Sequence, residues 1–165
     1  MELHLHSHRL EARAPDWMAA MASGFLAGAI LMVLELLWST NQLGVSPWAT
    51  SHLVAAMVLG RDVLSSTDFV LSVVAVALMT HYLLGILFGV ILAAIIAPFH
   101  FDSSPKLAVV IGSLFGVALY MTNFYGMAYF FPWMIEARGW FALTAHLIFG
   151  ISTAWLYCKI ERRAD

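Results

Sequence analysis

Charge is what this chain has least of. Lys and Arg number 8 and Asp and Glu 10 in 165 residues, 11% together, where a soluble domain carries about a quarter. So few charges cannot coat the surface of a water-soluble globule, which excludes that class. They are also unevenly spread: 18–34, 69–101 and 107–135 contain none. Cysteine is nearly absent too. The single Cys158 excludes a disulfide framework. With a net charge of −2 and no basic field, nothing points to nucleic acid. Also missing are a Ser-His-Asp set, a phosphate loop, an HExxH and a CxxC, so nothing argues for an enzyme of the hydrolase or kinase kind.

What the chain does have is long apolar runs. Hydrophobic residues make up 62%, and runs of eighteen or more read as membrane spans. Four are expected, at about 17–38, 69–98, 107–131 and 140–160, giving an all-α integral membrane four-helix bundle. Residues 1–16 form a polar tail, 17–160 a single transmembrane domain and 161–165 a short C-terminal end. The polar opening followed by a full span does not read as a cleavable signal. Arg9, Arg13, Lys106, Lys159, Arg162 and Arg163 lie on one side and Arg61 and Arg138 on the other, which places both termini in the cytoplasm.

The segment 39–68 is too long for a bare turn. Ser46-Pro47 offers an N-cap and a first-turn proline, and Gly60 a stop, so a short helix at about 47–59 is expected. It is too short to span. It lies in the interface or re-enters, or else packs as an ordered loop helix on top of the bundle.

The two halves echo each other. Gly24, Gly28 and Glu35 recur as Gly112, Gly116 and Asn123, with eleven residues from first glycine to polar residue in each. His81-x-x-x-Gly85 recurs as His146-x-x-x-Gly150, and Pro47-Trp48 as Pro132-Trp133. A tandem repeat of a helical hairpin follows. Eleven residues return a helix to within roughly 20° of its starting face, so Glu35 and Asn123 share small-residue faces that pack inward. The repeat predicts that Glu35, His81, Asn123 and His146 converge inside the bundle, near Thr80, Thr122, Tyr125 and Thr144.

Such a cluster has several uses. It can be a hydrogen-bonded pair that glues helices. It can ligate haem b through His81 and His146, hold a bare metal with Glu35, or relay protons. His4, His6 and His8 alternate in the tail, where they either bind a metal weakly or are incidental. His52 and His100 read as interfacial. Tyr120, Tyr125, Tyr129, Trp133 and Trp140 read as an aromatic belt, and Glu136 with Arg138 as a solvated pair.

Several stretches, GVSPWATSHLVAAMVLG (44–60), DFVLSVVAVALMTHYLLGILFGVIL (68–92), NFYG (123–126) and FPW…ARGW…AHLIFG (131–150), resemble a group of small bacterial inner-membrane proteins that lack an assigned activity. Some carry a sodium:solute symporter label, although such carriers use far more helices than four. The resemblance implies the fold and an inner-membrane location, and assigns no residue a role. The function expected is a non-enzymatic accessory or structural subunit of a larger membrane complex, respiratory or redox, with lipid and partner subunits around it. The alternatives are a small b-type cytochrome or metal-binding protein using His81 and His146, and a small solute or proton carrier.

Overall fold

The computed structural model describes residues 13–41 and 44–161. The tail histidines His4, His6 and His8, and the cations Arg9, Arg162 and Arg163, lie outside the described residues.

Four helices are long and apolar enough to cross a membrane: α1 (Trp17–Asn41), α3 (Leu71–Ile96), α4 (Pro105–Met121, prolonged by irregular turns to Tyr129) and α5 (Trp140–Ile160). Between the first two lies the short α2 (Ala49–Leu59). The expected boundaries hold to within a few residues, and no strand occurs among the described residues. Mean hydropathy of the four long helices runs from 1.4 to 2.2, yet only 28–39% of each apolar window is buried in the bundle. The remaining apolar faces look outward, as lipid requires and water forbids.

Glycines set how the helices pair. α1 lies against α3 and α4 against α5, with α1 and α5 forming the seam between the pairs. A Cβ on Gly89 would sit 2.6 Å from the Ala20 carbonyl oxygen and 2.7 Å from the Gly24 Cα. A Cβ on Gly112 would sit 2.5 Å from the Gly150 carbonyl oxygen. Only hydrogen fits at these points, so backbone meets backbone. The two seams are in register: Gly24 faces Gly85 as Gly112 faces Gly150, and Gly28 lies beside His81 as Gly116 lies beside His146. The hairpin repeat is therefore a repeat of packing.

The short helix α2 packs on α3 and does not span. It begins two residues later than expected, with Trp48 rather than Ser46 at the N-cap; Ser46 Oγ accepts from the Trp48 N–H in the turn before it, and Gly60, at φ +90°, ends the helix. Residues Pro132–Ala137 form a 3-10 helix in the equivalent connection of the second hairpin. The Trp133 indole N–H donates to the Leu53 carbonyl at 3.3 Å, so the two connectors are tied into one roof. At the opposite end Arg13 bonds Asp102 at 2.7 Å and Glu161 at 3.2 Å, joining the start of α1, the 98–106 loop and the end of α5. Burial alone would raise the Asp102 carboxyl. Hydrogen bonding with Glu161 and the Arg13 charge outweigh it and hold Asp102 below its ordinary value.

Candidate functional site

Beneath the roof the helices do not close. α3 and α4 barely touch, and between them lies a partly open cavity of about 490 Å³. α2 and the 132–137 helix cover it with Val54, Met57 and Met134, while Leu84, Leu87 and Phe88 of α3 form a wall. Its polar groups are few: Glu35, Thr50, Thr80, Thr122, Asn123 and His146. A smaller space of about 60 Å³ beneath it is lined by His81, Asn123 and His146. A third, of about 220 Å³ between α1, α2 and α3, is lined by Glu35, His81 and Trp48. The four polar residues singled out by the repeat thus border three neighbouring spaces that share lining residues. Of the neighbours expected with them, Thr80 and Thr122 line the largest, whereas Tyr125 and Thr144 are exposed.

The backbone helps to place Asn123. α4 widens into a π-turn over Thr122–Gly126, where the Met127 N–H bonds the Thr122 carbonyl five residues back. Single π-turns are rare and concentrate at functional sites. Within this turn Asn123 comes to lie 3.1 Å from His146 Nε2. His146 Nδ1 lies 2.8 Å from the Ala142 carbonyl oxygen, which can only accept. The proton therefore sits on Nδ1, and Nε2 accepts from the Asn123 amide. Tyr120 and Phe124 pack edge-on against the same ring. His81 instead reaches across its seam, with Nε2 2.8 Å from the Gly28 carbonyl oxygen.

The repeat therefore holds in placement and breaks in bonding. In the second hairpin Asn123 and His146 satisfy each other. In the first, His81 turns to the backbone, and Glu35 makes no hydrogen bond or ion pair with any described residue. That leaves a carboxyl facing largely apolar surroundings with no partner among the described residues.

Axial haem ligation would need one nitrogen of each histidine directed at the iron. Both nitrogens of His146 and the Nε2 of His81 are engaged. The arrangement is that of hydrogen-bonding side chains and does not fit a bis-histidine haem. Nor does it fit a bare ion: among the described residues no three of His, Cys, Asp and Glu are grouped to hold a metal.

Three surface readings change. His52 is 2% exposed, not interfacial, and its ring nitrogens lie 2.6 Å from the Val63 and 2.9 Å from the Asp68 carbonyl oxygens; it fastens α2 to the segment before α3. Tyr120 is buried and belongs to the site rather than to a belt. Arg138 donates to the Phe124 carbonyl at 2.6 Å and covers the Tyr125 ring instead of pairing with Glu136, so it clamps the π-turn.

Four apolar spans around a partly polar cavity define the class: a multi-pass, all-helical membrane protein. No protein-family model, curated protein or solved structure matches the chain.

Proposed function

We propose that the protein is a non-enzymatic membrane protein that receives a membrane-soluble molecule between α3 and α4, the carrier-like reading among those open to the sequence. The observation that carries it is the cavity itself. Its volume of about 490 Å³ falls within the roughly 300–1,000 Å³ usual for small-molecule sites. The roof of α2 and the 132–137 helix covers one end, and the weak α3–α4 contact leaves a side entrance from the bilayer. Filling the cavity tests this. Met127→Trp, at a lining position, should abolish small-molecule adducts that the wild-type protein retains in native mass spectrometry from membrane-derived discs. Identical adducts on both folded forms would refute the reading.

A second reading, an accessory subunit of a larger membrane complex, draws on exposed apolar side chains of α3 and α4: Leu83, Leu114 and Val117, with Leu87, which also lines the cavity. A partner helix laid there would be stripped by Leu83→Arg with Leu87→Arg. A stoichiometric membrane partner retained by wild type and lost by this variant supports the subunit reading; no such partner decides against it.

Orientation rests on Lys and Arg. The end carrying Arg13, Lys106 and Lys159 is placed in the cytoplasm of a bacterial inner membrane. In a Cys158→Ala background, Ser65→Cys should react with an impermeant maleimide on intact spheroplasts and Ser103→Cys should not; the reverse pattern inverts the topology.

A further inference from the structure

We infer that the molecule taken up is a lipophilic organic cation, with Glu35 as its counter-charge; this rests on the reading of the cavity as a ligand site. Glu35 borders both larger spaces, which also share Thr50 and Val54, so it stands where they meet. Among the described residues no Lys or Arg lines either space, and none bonds the carboxyl. An ionisable group in a membrane helix normally has a partner or a task. Here no described residue supplies a partner, although the second hairpin does so at the equivalent place with Asn123 and His146.

The lining decides which cation. A hard ion such as Na⁺ or Ca²⁺ is held by several oxygens, about six to eight for calcium. Among the described residues the cavity offers one carboxylate, the Asn123 amide and the hydroxyls of Thr50, Thr80 and Thr122, with no second acidic side chain. It also offers aromatic rings: Phe88, Phe124 and Phe131 line the space of about 490 Å³ and Trp48 the one of about 220 Å³. Aromatic rings beside a carboxylate suit a cation whose charge is spread over apolar groups, because such an ion is weakly hydrated and attracted to ring faces. The side entrance admits a ligand that already partitions into lipid.

Two ions of the same shape and opposite charge test this on the unmodified protein. In discs of zwitterionic lipid, with empty discs subtracted, tetraphenylphosphonium should bind saturably and at least tenfold more tightly than tetraphenylborate. Glu35→Gln should weaken the phosphonium at least tenfold, while the exposed control Glu136→Gln leaves it unchanged. Equal binding of the two ions overturns the charge inference and leaves the cavity reading standing. Absence of saturable binding by either ion and by neutral tetraphenylmethane overturns both. The comparison of ions holds whether or not Glu35→Gln folds. If that variant folds and binds the phosphonium as wild type does, Glu35 is not the counter-charge.

Discussion

The glycine seam between α4 and α5 makes the most quantitative demand on the sequence. In Gly112→Ala the added methyl would stand 2.5 Å from the Gly150 carbonyl oxygen and 3.0 Å from the Ala154 Cβ. Ordinary van der Waals contact begins at 3.4 Å, so one helix must retreat by 0.9 Å (3.4 − 2.5). The obstacle is backbone, which has no rotamer to change. Retreat at Gly112 also loosens Gly116 against His146, because both lie on the same seam. Forcing a methyl into a packed interface costs about 1–3 kcal/mol, while replacing a helical glycine by alanine returns up to about 1 kcal/mol. A net loss of about 0–2 kcal/mol is expected, against a gain of up to about 1 kcal/mol where the methyl meets nothing. Gly126 provides the control, since a Cβ there meets nothing within 4 Å, and Gly126→Ala should be neutral or slightly stabilising. Reversible unfolding in mixed micelles with rising dodecyl sulfate, followed by far-ultraviolet circular dichroism, separates the two. A Gly112→Ala protein as stable as Gly126→Ala would refute the seam.

Coupling should also be measurable at the Asn123–His146 contact, 3.1 Å long. Interhelical polar contacts of this kind average about 0.6 kcal/mol, so in the same unfolding assay the Asn123→Ala/His146→Ala double variant should lose less than the sum of the singles; strict additivity would mean that the two do not bond. His52→Ala, which strands the Val63 and Asp68 carbonyls, should cost about 1–3 kcal/mol, whereas the exposed His100 should tolerate alanine. At the other end, Asp102 is held below its ordinary value of 3.8. Its contribution is therefore fully present above that pH and is lost as pH falls through the lower, folded-state value. Asp102→Asn should flatten the acid limb of a stability–pH curve, and an unchanged limb would rule the Arg13 cluster out as its cause.

Much of this was legible from residue types alone. Charge-free runs of this length mark the spans because, short of a closed β-barrel, only an apolar helix satisfies its backbone within lipid. The glycine spacing gives the seams because small residues at helical period leave room for only one kind of contact. Legibility ended where backbone and tertiary choice took over. Nothing in TNFYG announces a π-turn, since the extra residue per turn is settled by neighbours such as Arg138 on the Phe124 carbonyl. The repeat aligned Glu35 with Asn123 and His81 with His146, but could not tell that His81 would turn to Gly28 while His146 stayed with Asn123. That choice depends on ring orientation, to which spacing is blind. His52 was misread for a related reason: the carbonyls that bury it lie 11 and 16 residues away.

Glu35 should face a cavity entered from the bilayer between α3 and α4. Crystals grown in a lipidic phase with tetraphenylarsonium would test it directly, because arsenic scatters anomalously and marks its own position. An anomalous peak is expected beneath the α2 roof, beside Glu35 and the ring of Phe88. Arsenic found only elsewhere, with α3 closed against α4 over Glu35, would contradict it.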